Sequence, residues 1–516
     1  MSSSIQTPLT TKCEENDDNN NNPVLSRLLK QLRPFQREAY EYATQGIVSS
    51  RQFNTGNSIN DGSATNDTVG DTFPGRCLLA DEMGLGKSIT SLAIMSHYIS
   101  EWPLLILCPA SLKFIWPTEI EKFIPSLAPK NIYVVQGFDD ADFYDNAHKR
   151  KDIRIVIASY SLLQKRSASA RCLQQFQFKC VIADESHNLK TKGSQRTKLA
   201  LPLLQNAKRL ALLSGTPALA RPVELWTQVY ALAPDLFGSY SSYTKKFCNA
   251  RRGRFGWDVN GVSNVEELHH KLKQIMIRRL KSDVLHELPA KQRSLVPIHI
   301  SNKTKRKECE ALIKELNDTR QSVEDLVGDD AAGAHFEARK LLMQAYQSSG
   351  VAKSEGVAAY LLEWLRGSGT QKVLVFGHHK GVLDCLEAAV AKELKGGGHI
   401  RIDGSVSSQE RALRVRKFQN CSTIRVAILS MTAAGTGLTL TAASCVMFAE
   451  LHWTPGVLAQ AEDRCHRIGQ QNAVNVMYLI CEGKLSVDYI ISVFKSIISS
   501  SHFLSYCYMP TPQIQI

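Results

Sequence analysis

The sequence predicts an α/β protein: two doubly wound parallel-sheet lobes with a helical, basic insertion between them. Three observations predict it. Short apolar runs such as Leu104-Leu105-Ile106-Leu107-Cys108, closed by Pro109, read as strands buried on both faces of a parallel sheet. These runs alternate with helix-length stretches, and small or polar residues follow their C-terminal ends, the order of a doubly wound sheet. The series also occurs twice, in a chain of 516 residues that is too long for one ordinary core.

Composition bounds the class. Hydrophobic content of 43% and charged content of 22% are those of a globular protein, and no apolar run approaches bilayer length. The segment 1–22 is polar and Asn-rich, so no secretory leader is expected. The 13 cysteines are scattered without a Cys-x-x-Cys pair, which reads as reduced, buried thiols in an intracellular protein. A net charge of +13 favours a polyanionic partner without saying which.

Residues 1–24 read as a disordered tail and 25–235 as the first lobe. Leu32-Arg33-Pro34-Phe35-Gln36 leads into a helix over 37–43, with Gln36 facing outward from its start. A glutamine donates and accepts at once, which suits the two edge groups of adenine, although a lone Gln near a Pro is usually plain surface and the reading gains weight only beside Lys87. Residues 49–74, rich in Ser, Asn, Gly, Thr and Asp, read as a flexible insertion.

A strand over 77–80 then runs into Asp81-Glu82-Met83-Gly84-Leu85-Gly86-Lys87-Ser88, followed by helical spacing over 89–99. Strand, glycine loop and a helix that opens on Lys-Ser hold a nucleotide triphosphate: glycines let backbone N–H groups approach phosphate, and the helix N-terminus adds partial positive charge. Lys87 would reach the β- and γ-phosphates and the Ser88 hydroxyl would ligate Mg²⁺. The full phosphate-loop pattern wants glycine where Asp81 stands.

Further strands are expected at 132–135, 153–158, 181–183 and 210–213, the last ending in Ser214-Gly215-Thr216-Pro217. The third runs into Asp184-Glu185-Ser186-His187. An isolated acidic pair usually caps a helix. At a strand end downstream of a phosphate loop, Asp184 would hold Mg²⁺ and Glu185 would orient or deprotonate the attacking water.

Residues 236–348 form a linking region. Its first part carries Lys245, Lys246, Arg251, Arg252, Arg254, Arg278, Arg279 and Lys281 with Phe255 and Trp257 among them, a patch suited to phosphate backbones or simply a solvated face. Its second part, 301–348, reads as charged helix. The second lobe, 349–495, has strands at 373–376, 400–403 and 426–429, and 496–516 reads as a tail. The pairs His269-His270 and His378-His379 lack acidic or Cys partners at ligand spacing, so no metal is assigned to them. The small-residue loop 430–438 has no lysine and is not a second phosphate loop. Instead this lobe carries Gln460-Ala461-Glu462-Asp463-Arg464-Cys465-His466-Arg467-Ile468-Gly469-Gln470. On a helix, Gln460, Arg464 and Arg467 share one face and could deliver two guanidinium groups to a γ-phosphate on the other lobe.

In this order the motifs resemble those of the Swi/Snf-type ATPases of helicase superfamily two, over about residues 30–495. The family's glycine loop begins Asp-Glu-Met-Gly, which accounts for Asp81. Ile277-Arg278-Arg279-Leu280-Lys281-Ser282-Asp283-Val284 with Leu288-Pro289 resembles its connection between lobes. Asp184-Glu185-Ser186-His187, Thr216-Pro217-Ala218-Leu219-Ala220-Arg221-Pro222, Phe376-Gly377-His378-His379 and Phe448-Ala449-Glu450-Leu451-His452-Trp453 look most like the HepA-related (HARP-like) annealing-helicase branch.

The resemblance implies two RecA-like lobes and a nuclear, DNA-stimulated ATPase that uses ATP and Mg²⁺ to anneal or remodel branched DNA at stalled replication forks. It assigns adenine sensing to Gln36, and phosphate and Mg²⁺ binding to Lys87 and Ser88 within the loop 81–88. Asp184 and Glu185 would serve the metal and the water, Arg464 and Arg467 would be fingers, and Gln460 would border the nucleotide. Pro109-Ala110-Ser111, Ser159-Tyr160, His378 and Thr432 would line a DNA track gripped through phosphate, without sequence specificity. No upstream substrate-recognition repeats, Ran-binding zinc finger, sliding-clamp peptide or nuclease domain is visible, so a core-only member, a truncated product or one recruited by replication or repair proteins is expected. A nucleosome remodeller, a strand-separating helicase and a catalytically weak DNA-binding scaffold remain as rivals.

Overall fold

The computed structural model describes residues 22–45, 74–143, 150, 152–215, 217, 221–253, 256–285, 287–324, 329–395, 397–431, 438–452 and 455–481. Nearly all of the expected tail 1–24, the insertion 49–74 except residue 74, Arg254, Phe255, Thr432 and the tail 496–516 lie outside them.

Two parallel sheets carry the fold. The first lobe contributes β1 (Arg76–Leu79), β2 (Leu104–Cys108), β3 (Ile132–Val134), β4 (Ile155–Ser159), β5 (Cys180–Asp184) and β6 (Arg209–Leu213). An antiparallel hairpin follows, β7 (Arg251–Gly253) and β8 (Gly256–Asp258), then β9 (Met276–Ile277), which returns to the first sheet. The sheet order is β3-β4-β2-β5-β6-β1-β9, with every pairing parallel. The second sheet uses β10 (Lys291–Ile298), β11 (Val373–Gly377), β12 (His399–Ile402), β13 (Val426–Ser430), β14 (Cys445–Phe448) and β15 (Val474–Cys481). Its order is β10-β15-β14-β11-β13-β12, again all parallel.

The unbroken apolar runs are explained by burial on both faces. In β2, Leu105 and Leu107 enter one core while Leu104, Ile106 and Cys108 enter the core on the opposite face. In β11, Val375 and Phe376 likewise part to opposite faces of the second sheet. A period-2 strand with helices on both sides has no solvent face to keep polar.

The stretch expected to link the lobes is divided between them. Phe237, Tyr243, Phe247, Leu268, Leu272 and Ile275 join the first lobe's core, β9 extends the first sheet and β10 edges the second. The passage between sheets is therefore residues 278–290. Helices Lys303–Glu324 and Asp329–Gly367 pack together through Leu316, Leu341 and Ala345. The second of them continues into the second lobe, where Val357, Leu361 and Leu365 meet Val373 and Val375.

Candidate active site

Three neighbouring strands end at one crevice. In the order β5-β6-β1, their C-terminal ends lead into Asp184-Glu185, Ser214-Gly215 and the loop from Asp81 to Lys87. Side chains at the carboxyl ends of adjacent parallel strands converge there because no ladder continues beyond them.

Gly84 has φ +85 and Gly86 has φ +81. Gly86 caps the helix Lys87–His97 in the left-handed region, and a Cβ there would sit 2.4 Å from Gln36 Nε2. Glycine is thus required twice over, for the conformation and for the close approach. Gln36 itself corrects the expectation of an outward-facing residue: it is 3% exposed. Its amide donates to Leu85 O at 2.9 Å and its Oε1 accepts from Arg33 N at 2.9 Å, so it braces the loop against the first helices. Met83 packs over Gly215, where a Cβ would meet Met83 Cγ at 2.5 Å.

Lys87 Nζ donates to Asp81 O at 2.7 Å and Glu82 O at 3.2 Å. Burial pushes its ammonium pKa down, against the opposing pull of Glu185, Asp81 and Asp184. The carboxylates of Asp81 and Glu82 turn away from Lys87 toward the interlobe passage. Asp81 accepts from Arg279 Nε at 3.1 Å and Nη2 at 2.5 Å, and Glu82 accepts from Lys281 N at 2.7 Å. The backbone joins in: Ala80 N bonds Ile277 O and Glu82 N bonds Arg279 O, so β9 runs on alongside the loop.

Asp184 accepts from Trp116 Nε1 at 3.0 Å and from Glu185 N at 2.9 Å. Burial, reinforced by the neighbouring Glu185 charge, pushes its carboxyl pKa up to about 7. Two carboxylates side by side in a buried site favour one proton or a cation between them. Ser88 and Asp184 offer hydroxyl and carboxylate oxygens, hard donors of the kind Mg²⁺ takes alongside substrate phosphates. Glu185 is 8% exposed with φ +49, and its carboxylate lies 3.4 Å from His187 Nδ1, which also meets Ser214 Oγ at 3.1 Å. Ser186 Oγ donates to Gln228 Oε1 at 2.7 Å, and Gln228 Nε2 donates to Pro217 O at 2.7 Å. The motifs after β5 and β6 are therefore wired together.

The second lobe closes the crevice. Its helix Pro455–Glu462 stops before the arginines, correcting the expected single helical face; residues 463–469 are turns and bends. A Cβ on Gly84 would lie 2.5 Å from Arg467 Cβ, which puts the second lobe directly on the phosphate loop. Arg467 Nη1 donates to Thr439 Oγ1 at 2.5 Å. Arg464 is 2% exposed, and burial with the like charge of Arg467 pushes its pKa down to about 10. Gln460 is 5% exposed.

Other expected contacts separate. Ser159 and Tyr160 are each 2% exposed, and Ser159 Oγ meets Ser161 Oγ at 2.7 Å. Ala110 is exposed, and its carbonyl accepts from Ser408 Oγ of the second lobe at 3.1 Å. His378 N donates to the buried Glu450 at 2.6 Å, which fixes the turn after β11. Of the basic patch, Arg278 donates to Ala80 O and Gly215 O, and Arg279 and Lys281 are held in the interlobe passage. Arg251, Arg252 and Trp257 stand exposed on the β7–β8 hairpin. Trp116 and Gln228 were missed in the sequence, where an isolated Trp and Gln carry no motif.

Residues 30–327 match the SNF2-related domain and residues 356–469 the helicase conserved C-terminal domain. The chain is 44% identical over 420 residues to the human DNA annealing helicase and endonuclease ZRANB3, covering 80% of this chain and 37% of that protein. It is 39% identical over 478 residues to the Xenopus laevis SWI/SNF-related matrix-associated actin-dependent regulator of chromatin subfamily A-like protein 1, covering 92% and 44%. The Caenorhabditis elegans homolog of the latter is 40% identical over 411 residues, covering 79% and 56%. The chain thus spans 37% to 56% of the length of these relatives. With the SNF2-related match alone taking in more than half of the residues and a second match following it, the chain belongs to the SNF2-related family of helicase-like ATPases.

Proposed function

We propose that the chain is an ATP-dependent DNA translocase that anneals or remodels branched DNA of the kind formed at stalled replication forks, acting in DNA repair in the nucleus. The observation that carries the ATPase part is the meeting of Arg467 with Gly84 across the cleft. It brings Lys87, Arg464 and Arg467, three cations whose basicity burial lowers, around one glycine loop. Glu185 and Asp184 stand among these cations, and a triphosphate with its divalent cation suits a site that carries both signs of charge.

In this reading the loop 81–88 cradles the phosphates, and Lys87 leaves the carbonyls of Asp81 and Glu82 for the β- and γ-phosphates. Gln36 holds the loop's shape beside the adenine end, and Gln460 borders the site from the second lobe. Ser88 and Asp184 would hold Mg²⁺, which neutralises phosphate charge when bound. Glu185 orients the attacking water, and Arg464 and Arg467 stabilise charge on the transferring phosphoryl group. Because the fingers belong to the second lobe, hydrolysis requires closed lobes, and product release lets them part and shift a DNA grip. The relatives' names support DNA annealing as the outcome: one is an annealing helicase. Exposed Arg251, Arg252 and Trp257 suit backbone contact with stacking. Replication or repair proteins are the partners this role calls for.

The test is ATP hydrolysis without DNA and with single-stranded, duplex, forked and nucleosomal DNA, beside Lys87→Ala. Stimulation greatest with the fork and lost in the variant is expected. Stimulation by nucleosomes alone would replace the reading with chromatin remodelling, and no hydrolysis on any DNA would replace it with a binding scaffold.

A further inference from the structure

Lys281 lies at the meeting point of both halves of the site and has no assigned role there. It follows β9 in the interlobe passage and is 5% exposed. Its Nζ lies 2.8 Å from Asp463 Oδ1, 2.6 Å from His466 O and 3.7 Å from Glu82 Oε1. Its backbone N–H donates to Glu82 Oε2 at 2.7 Å. One ammonium therefore ties the phosphate loop, through Glu82, to both flanks of the turn that carries the fingers: Asp463 precedes Arg464 and His466 precedes Arg467.

We propose that Lys281 is a positioning residue that seats the 463–467 turn on the phosphate loop, so that Arg464 and Arg467 reach the γ-phosphate only while this link is made. The proposal rests on the ATPase reading above. Three features favour a link between moving parts over a plain structural ion pair. First, Glu82 is shared: its carbonyl holds Lys87 and its carboxylate holds Lys281, so drawing Lys87 toward a phosphate disturbs the same residue that anchors the turn. Second, Asp463 has another cation, Lys291 Nζ at 3.3 Å, from its own lobe. Burial alone would raise the Asp463 carboxyl, yet Lys281 and Lys291 together hold it well below the usual carboxylate range. Removing Lys281 thus leaves the acid paired within its lobe and severs chiefly the bond between lobes. Third, the link carries orientation: an ammonium satisfied by one carboxylate and one carbonyl on the same turn fixes that turn's rotation as well as its distance.

The experiment uses Lys281→Met, Asp463→Asn and the double variant in the full chain, with fork DNA. It reads kcat and KM for ATP, the Kd of ADP, and the Kd of ADP with aluminium fluoride, a mimic of the transferring phosphoryl group. In each single variant kcat falls by about 10- to 100-fold and the preference for the fluoride complex over ADP shrinks by a similar factor, the size expected of misplaced catalytic groups. The Kd of ADP stays within about twofold, which shows an intact phosphate loop. The double variant is no worse than the poorer single, because the two variants share the Lys281–Asp463 link, while Asp463→Asn also loses its pairing with Lys291. Unchanged kcat in Lys281→Met, or parallel loss of ADP and fluoride-complex binding, would overturn the proposal. If Lys281→Met does not fold, Glu82→Gln weakens the same link from the loop side and is read in the same way. Failure of the wild-type chain to hydrolyse ATP would count against the ATPase reading itself and is seen before any variant is compared.

Discussion

Arg467 of the second lobe rests on Gly84 of the first: a side chain on Gly84 would begin 2.5 Å from Arg467 Cβ and 3.1 Å from its Cα. The obstacle includes backbone, so it cannot be cleared by a rotamer change, and the φ of +85 at Gly84 adds its own cost of about 1–2 kcal/mol for any L side chain. Gly84→Ala should therefore hold the lobes apart. The expected outcome is at least tenfold slower ATP hydrolysis with a modest loss of thermal stability. Gly193→Ala, at a glycine with open space around its Cβ position, should change neither.

Gln36 spends its amide on Arg33 N and Leu85 O. A residue so placed supports the loop that holds the phosphates, which every nucleotide shares. Gln36→Ala is expected to raise KM for ATP and for GTP by similar factors, a few-fold each, as a lost buried brace would. A selective loss with ATP, measured in parallel hydrolysis assays, would instead assign the amide to adenine.

The fold was legible because burial on two faces writes itself as uninterrupted apolar runs, and β2, β5, β11 and β13 all carried that signature. The loop 81–88 and the Asp184-Glu185 pair were legible because phosphate chemistry constrains local sequence. β9 and β10 carried no such run, and β14 and β15, though largely apolar and buried, were not read as strands either. β9 is only Met276–Ile277, and β10 reads Lys-Gln-Arg-Ser-Leu-Val-Pro-Ile because it edges its sheet, where one side meets solvent. The division of the basic patch was hidden for a related reason. Arg279 and Lys281 look like Arg251 and Arg252 in sequence, but only the first two have Asp81 and Asp463 brought to them from remote positions.

The exposed hairpin makes a separate prediction. Arg252 pairs across the hairpin with Trp257, which is 61% exposed, so charge and ring stand together in solvent. Replacing Arg251 and Arg252 by Ala disturbs no core packing and should leave stability and DNA-free hydrolysis unchanged. DNA affinity should fall, and the slope of log K against log salt should drop by about two for double-stranded DNA, one for each phosphate that is no longer neutralised. Trp257→Ala should weaken binding to single-stranded or forked DNA more than to duplex, because stacking needs an unpaired base. Equal binding by fluorescence anisotropy across a salt series would remove the hairpin from the DNA path.

His466 gives the pH dependence. Its Nε2 lies 2.9 Å from Pro289 O, and since a carbonyl only accepts, Nε2 carries the proton of the neutral ring. Burial, aided by the charges of Lys281 and Lys291 and opposed by that carbonyl and by Asp463, pushes its pKa down from 6.5 to about 4. The stabilisation of the neutral ring is fully present above about pH 6.5, the unfolded value, and is lost as pH falls toward 4, because the unfolded chain takes up a proton that the fold refuses. Glu462 and Asp463 are depressed carboxylates and act in a lower window: their stabilisation is present above their unfolded pKa of about 4 and is lost below it. His466→Gln keeps an N–H for Pro289 O and removes the titration. The wild-type melting temperature should fall by several degrees more than that of the variant between pH 7 and pH 5, and the two should decline in parallel below pH 4. Parallel curves across the whole range would place the acid sensitivity elsewhere. The turn that carries Arg464 and Arg467 should loosen in the same window, so amide protection factors at residues 463–467, taken relative to the slower intrinsic exchange in acid, ought to fall at pH 5 in the wild type and not in His466→Gln.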